Sequence, residues 1–139
     1  MRRMRVLLAD DHADTLEQLC ALLQVEFEIV GQVQDGQALV IAAEALSPDV
    51  IVSDISMPIV DGVAAAATIL GNNPEARIVF VTVSSDPVLV ERTLDVGALG
   101  YVLKRQAGDE LVPAVHAALK GERYLSRPSR FSPKERTDP

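Results

Sequence analysis

The stretch Asp49-Val-Ile-Val-Ser-Asp54-Ile-Ser-Met-Pro58 decides the fold. Residues 50–53 are a continuous run dominated by β-branched side chains, without the alternation of a half-solvated strand. Such a run is a strand buried on both faces, as in parallel sheets covered by helices. Asp54 stands at its carboxyl end, where open α/β sheets gather their ligands. Two other apolar runs end in charge. Val6-Leu7-Leu8-Ala9 closes on Asp10-Asp11, and Tyr101-Val102-Leu103 closes on Lys104.

Outward from this centre, strand and helix alternate five times. After the strand at 6–9, a helix with Asp14 or Thr15 as cap buries Leu16, Leu19, Cys20 and Leu23 on one face. Residues 27–34 alternate more and carry a glycine, which suits a strand nearer an edge. Asp35-Gly36 opens a second helix with Leu39, Ala42, Ala43 and Leu46 on one stripe, and Ser47-Pro48 stops it. An alanine-rich third helix spans 62–70, and 78–81 is the fourth strand. Asp86-Pro87 starts a fourth helix that Gly97 ends. Residues 99–103 form the fifth strand. A fifth helix opens at Gly108-Asp109, with Pro113 tolerable only near its first turn. Helices between short strands imply parallel pairing through right-handed crossovers. The expected fold is therefore α/β, a five-stranded doubly wound parallel sheet with helices on both faces. Residues 4–121 form that domain, and 122–139 form a polar, proline-rich tail expected to be disordered.

The 139 residues have room for one domain, with 48% hydrophobic and 24% charged residues. No apolar stretch approaches the roughly 18 residues that span a bilayer, so neither a transmembrane helix nor membrane association is expected. The basic start leads into a short strand rather than a signal sequence, and a cytoplasmic location is expected. The single cysteine, Cys20, excludes an internal disulfide. The net charge of −7 is concentrated in residues 1–121, and the basic tail is short. An acidic body offers no footprint for nucleic acid, so DNA binding by this chain alone is not expected.

Five residues lie at the strand ends: Asp10, Asp11, Asp54, Thr82 and Lys104. Three neighbouring carboxylates repel one another, and one ammonium is too little to balance them. A hard, oxygen-seeking cation such as magnesium completes the set. With charge balanced on both sides, a carboxylate can act as nucleophile toward a phosphoryl group, and Thr82 can donate a hydrogen bond to a phosphoryl oxygen.

These motifs resemble the receiver domain of bacterial two-component response regulators over residues 4–121. They are Asp10-Asp11, Asp54-Ile-Ser-Met-Pro58 with Asp61-Gly62, Thr82, and Gly100-Tyr-Val-Leu-Lys104. The resemblance implies a flavodoxin-like receiver fold with Asp54 as phosphoacceptor, loaded by a sensor histidine kinase or phosphotransfer protein. It implies Mg2+ on Asp10 (through water), Asp11, Asp54 and the backbone carbonyl of Ser56. Thr82 and Lys104 would hold phosphoryl oxygens, and Thr82 with Tyr101 would form the switch. Output would pass to a partner or a second copy through the face of the fourth helix, fifth strand and fifth helix. Such a domain is a signalling module, not a turnover enzyme.

Asp10-Asp11-His12 and Gly121-Glu-Arg-Tyr-Leu-Ser126 are similar to receivers of NarL/FixJ-type transcription factors, and Phe131-Ser-Pro-Lys-Glu-Arg136 resembles the opening of their DNA-binding domain. Alternatives to an independent signalling module are the receiver half of such a regulator and a scaffold that is never phosphorylated. Val83 follows Thr82 where the family usually has alanine or glycine, and its bulk bears on access. A haloacid-dehalogenase-like phosphatase is set aside because Ser56 stands where a second acid would be needed. As structural roles, Asp61 reads as a helix cap and Asp49 as a turn residue. His12 and His116 are read as surface residues, not metal ligands.

Overall fold

The computed structural model describes residues 2–126. Six strands, β1 (Arg5–Ala9), β2 (Glu28–Val33), β3 (Val50–Ser53), β4 (Ile78–Thr82), β5 (Gly100–Leu103) and β6 (Tyr124–Leu125), form one sheet. Their order is β2-β1-β3-β4-β5-β6, and every pair is parallel. Five helices connect them: α1 (Ala13–Leu23), α2 (Gly36–Leu46), α3 (Gly62–Asn72), α4 (Pro87–Val96) and α5 (Ala107–Leu119). Among the described residues no helix is long and apolar enough to cross a membrane.

The runs that lack alternation are central because both faces are covered. Val6, Leu8, Val50, Val52, Val79, Val81 and Val102 point toward α1 and α5, onto Leu16, Leu19, Leu23, Leu111 and Val115. Their neighbours Leu7, Ile51, Ile78, Phe80, Tyr101 and Leu103 point the other way, onto Leu39, Val63, Ala66 and Ile69. The period of two along each strand thus sends Tyr101 to the face that Phe80 shares. Helix starts follow the acids: Asp35, Asp61 and Asp86 accept hydrogen bonds from the Ala38, Ala64 and Val88 N–H groups. Gly97, at φ 110°, ends α4 in the left-handed region.

Four local expectations are corrected. Helix α1 starts at Ala13 with His12 as N-cap, not Asp14 or Thr15, and His12 makes no side-chain cap bond. Asp10 does part of that work by accepting from the His12 N–H at 2.9 Å. A 3₁₀ turn at Lys104–Gln106 leads directly into α5, so Pro113 is the seventh residue of the helix rather than part of its first turn. The helix persists because Leu111, Ala114 and Val115 beside the proline are fully buried, and burial outweighs one missing backbone bond. Cys20 is half-buried rather than a core residue, packed against the core edge.

The fourth difference lies at the end of the described chain. Residues 122–126 were read as tail, yet Tyr124–Leu125 add a sixth strand to β5. Ser126 is fully buried. Its hydroxyl donates to Glu110 Oε1 at 2.7 Å and accepts from the Leu103 N–H at 2.9 Å, while its N–H donates to the Tyr101 carbonyl. A polar residue survives in the core because each of these bonds replaces one lost from water. Ser126→Ala should therefore cost about 1–3 kcal/mol, the penalty for stranding buried donors and acceptors. Urea melts would read it, and an unchanged midpoint would show that water or another donor substitutes. The tail from 127 onward, including Phe131-Ser-Pro-Lys-Glu-Arg136, lies outside the described residues.

Ile59, in the loop between β3 and α3, has φ 71° and is 74% exposed. A β-branched residue in the left-handed region stores strain of order 1–3 kcal/mol. Ile59→Gly should relieve it and raise stability by about 1 kcal/mol net of the entropy glycine adds to the unfolded chain. A lower melting temperature for this variant would mean that the isoleucine side chain stabilises the loop by more than the strain costs.

Candidate functional site

The parallel sheet brings the ends of β1, β3, β4 and β5 to one rim. Backbone bonds prolong the strands into the site, with the Asp54 N–H donating to the Ala9 carbonyl at 2.9 Å and the Asp10 N–H to the Val33 carbonyl at 3.1 Å. Asp10 is fully buried and Asp54 is 6% exposed. Lys104 Nζ lies between them, 2.8 Å from Asp10 Oδ2 and 3.0 Å from Asp54 Oδ2. Residues separated by up to 94 positions thus share one ammonium group.

Burial drives the Asp54 carboxyl above its ordinary value, and Lys104 only partly offsets this. Burial also works against the Lys104 charge, but the close contacts with Asp10 and Asp54 outweigh it and raise the ammonium above its usual range. The lysine therefore stays charged at neutral pH. The other Asp54 oxygen, Oδ1, accepts from the Ile55 N–H at 2.7 Å. Neighbouring Ser53 Oγ donates to the Asp54 carbonyl.

Asp11 is half-buried beside this pair, with its Oδ1 3.0 Å from His12 Nδ1. Asp10 Oδ2 and Asp11 Oδ1 are both shut off from solvent without a hydrogen bond of good geometry. For Asp10 the nearby ammonium is a close ion pair that lacks alignment, which the short 2.8 Å separation alone would hide. Buried oxygens of Asp10 and Asp11 that lack an aligned hydrogen bond, with a single lysine against three acids, match the donor set of a hard divalent cation. The Asp54 carboxylate is turned toward Lys104, and the tight trio of possible ligand atoms is Asp10, Asp11 and His12. His12, read from the sequence as a surface residue, is 69% exposed beside the two acids.

Thr82 ends β4 and is 3% exposed, whereas Val83 is 74% exposed. Ser56 is exposed on the loop after β3. Tyr101 is fully buried, and its hydroxyl donates to the Ser84 carbonyl in the loop after Thr82. Burial raises its pKa to about 12, so it remains a neutral donor. Asp61, as expected, caps α3.

Comparison with known proteins bears on the family and the fold. Residues 6–116 match the response regulator receiver domain family. The chain is 39% identical over 123 residues to the transcriptional regulatory protein PdtaR of Mycobacterium tuberculosis, covering 88% of this chain and 60% of PdtaR. It superposes on the signal receiver domain of the putative response regulator NarL from M. tuberculosis with a TM-score of 0.84 at 31% identity, covering 88% of this chain and all of that one. It also superposes on a chain of the CheX–CheY–beryllofluoride–magnesium complex from Borrelia burgdorferi, with a TM-score of 0.79 at 26% identity, over 82% of this chain and 87% of that one. The chain spans between 53% and 60% of the length of the first curated relatives it matches. By fold, by motif and by these likenesses, the chain belongs to the response regulator receiver family and is a receiver domain of two-component signalling.

Proposed function

We propose that Asp54 accepts a phosphoryl group from a sensor histidine kinase or phosphotransfer protein, and that the charge so acquired switches a protein-interaction face. The observation that carries this reading is the single ammonium held between Asp10 and Asp54 at the sheet rim. An Asp54 oxygen forms the new P–O bond while the P–N bond of a phosphohistidine, or the P–O bond of a small acyl phosphate, breaks. The leaving group keeps that bond's electron pair. Lys104 follows the transferred charge from carboxylate to phosphoryl oxygen, and the Thr82 hydroxyl donates to a second oxygen. The phosphoryl group stays on the protein, so the reaction is a signalling event rather than turnover.

Asp10, Asp11 and Asp54, with the Ser56 carbonyl, would hold magnesium, which when bound neutralises the acids and draws phosphoryl oxygens into place. The buried Asp10 and Asp11 oxygens that lack an aligned hydrogen bond support this set. The magnesium and beryllofluoride named for the Borrelia CheY complex support it by likeness. Beside the crevice, a groove of about 410 Å³ lined by Thr15, Gln18, Leu19, Leu22, Arg105 and Gly108 suits the docking of a donor protein next to Lys104.

Tyr101 and Thr82 form the switch in this reading. The phosphoryl group gains Thr82 and Lys104 contacts only in one arrangement, and a ligand biases an equilibrium by that difference alone. The inward Tyr101, bonded to Ser84, ties β5 to the loop that follows Thr82. The output face is α4, β5 and α5, read by a partner protein or by a second copy. The test is intact mass after acetyl phosphate with magnesium, repeated in chelator. One added phosphoryl group that requires the cation supports the reading. Absence of labelling with the cation present would make the chain a scaffold.

A further inference from the structure

Lys104 opens a short turn, Lys104–Gln106, whose two flanks are joined by a residue from the far end of the described chain. Strand β5 ends at Leu103, just before the turn, and α5 begins at Ala107, just after it. Along the outer edge of β5 the Leu99 carbonyl accepts from the Tyr124 N–H at 2.9 Å, and the Tyr101 carbonyl from the Ser126 N–H at 2.8 Å. The next group on that edge is the Leu103 N–H, and it is met by a side chain: it donates to Ser126 Oγ at 2.9 Å. The same hydroxyl donates to Oε1 of Glu110, the fourth residue of α5, at 2.7 Å. One hydroxyl thus bridges the residue before Lys104 and the first turn of the helix after it. Ser126 is fully buried and Glu110 is 9% exposed, so both bonds form away from water, where they hold most firmly.

We propose that Ser126 and Glu110 are positioning residues for Lys104, fixing its turn so that the ammonium stays between Asp10 and Asp54. The inference rests on the reading that Lys104 follows the transferred phosphoryl group, and it adds what aims the lysine. The ammonium lies 2.8 Å from Asp10 Oδ2 and 3.0 Å from Asp54 Oδ2. The two acids are placed by other elements, through the Asp10 N–H bond to the Val33 carbonyl and the Asp54 N–H bond to the Ala9 carbonyl. Lys104 reaches the same point from β5 and its turn, which Ser126 pins on the outer side. Phosphoryl transfer depends mainly on positioning and charge, and a misplacement of about 1 Å caused far from the chemistry can cost about 100-fold in rate. The competing explanation is that the bridge serves stability alone, while the flexible four-carbon stem of the lysine absorbs any shift of its backbone. The two explanations differ in what they predict for the ammonium itself.

The experiment uses the full chain. Ser126→Ala and Glu110→Leu break the bridge, Glu110→Gln keeps an acceptor for the hydroxyl, and Ile69→Val loosens the core on α3 without touching the bridge. Far-UV circular dichroism sets a temperature at which the variants are folded; should one breaking variant not fold, the other decides. The first readout is the 1H–15N signal of the Lys104 ammonium, recorded without phosphodonor and assigned by its loss in Lys104→Gln. The second is the rate of labelling by acetyl phosphate with magnesium. In the breaking variants the ammonium signal should move toward that of the exposed Lys120, and labelling should slow about 10-fold. Glu110→Gln and Ile69→Val should keep the wild-type signal and rate. A wild-type ammonium signal in the breaking variants would overturn the proposal, whatever the labelling rate. A moved signal with an unchanged rate would overturn the part of the bridge in phosphoryl transfer. Equal slowing in Ile69→Val would overturn the proposal in favour of stability alone. Failure of the wild type to be labelled would instead bring down the phosphoacceptor reading, and the ammonium signal, which needs no phosphodonor, would still decide whether the bridge aims the lysine.

Discussion

Asp54→Asn should abolish labelling by acetyl phosphate and, in metal-free buffer at neutral pH, melt at a higher temperature than the wild type. The first effect follows from the chemistry, because an amide oxygen is no nucleophile for phosphorus under these conditions. The second follows from burial. Desolvation, the largest influence on Asp54, raises its carboxyl above the ordinary 3.8, and Asp10 adds repulsion. A carboxyl whose folded value is raised holds its proton longer in the folded state than in the unfolded one. Stability is therefore lost as pH rises from the ordinary value through the folded value, and the penalty is complete above the folded value. Asparagine keeps the shape without the charge, and Lys104 retains Asp10 as partner at 2.8 Å. The expected gain is on the order of 1 kcal/mol, or a few degrees in melting temperature. It should shrink toward zero as the pH is lowered below the carboxylate range, and again when magnesium is added to the wild type. Stoichiometric labelling of Asp54→Asn would sink the phosphoacceptor assignment. A variant less stable than the wild type at pH 7 would mean that the Lys104–Asp54 pair outweighs desolvation.

How far the fold could be read depended on how loudly each segment spoke. Residues 50–53 could only be a doubly covered strand, and Asp35, Asp61 and Asp86 could be recognised as caps because a short acid precedes each helical stripe. The gathering of Asp10, Asp54 and Lys104 followed from topology alone, since parallel strands deliver their ends to one rim. Other features were silent for physical reasons. A two-residue strand such as Tyr124–Leu125 has no period to detect, and its stability comes from β5 rather than from its own sequence. Ser126 looks like tail until Glu110 is known to lie 2.7 Å away, a partner sixteen residues distant. Pro113 argued for an early position in its helix, but the tertiary burial of Leu111 and Val115 overrode that local preference. Whether Tyr101 points inward is a rotamer choice that no spacing encodes. His12 was read as a surface residue, and its side chain is 69% exposed although its ring lies 3.0 Å from Asp11 Oδ1.

Gly62→Ala should be strongly damaging although it leaves every side chain of the site chemically intact. A Cβ at this position would stand 2.1 Å from the Asp54 carbonyl oxygen and 3.0 Å from the Ile55 Cα. Both obstacles are backbone, so no rotamer change can absorb the overlap. Glycine is required here for space rather than for an unusual φ, because α3 begins at this residue while its N–H donates to the Ile55 carbonyl at 2.6 Å. Either α3 must lift from the sheet, uncovering Val63, Ala66 and Ile69, or the Asp54–Ile55 segment must move. Overpacking of this kind costs about 3 kcal/mol or more when only backbone can yield, a drop of roughly 10 °C in a domain of this size. Movement of Asp54–Ile55 would also break the Ile55 N–H bond to Asp54 Oδ1 and carry the carboxylate away from Lys104. Labelling should therefore fall even at a temperature where the variant remains folded. Gly71→Ala, near the other end of the same helix, is the matched control. No atom lies within 4 Å of a Cβ placed there, and alanine in a helix is favoured over glycine by roughly 0.5–1 kcal/mol. The same chemical change in one helix should thus move the melting temperature down at position 62 and slightly up at position 71. Equal melting temperatures for the two variants would show that the loop after β3 yields freely. In that case the close approach of α3 to Asp54 would not be what holds the carboxylate in place.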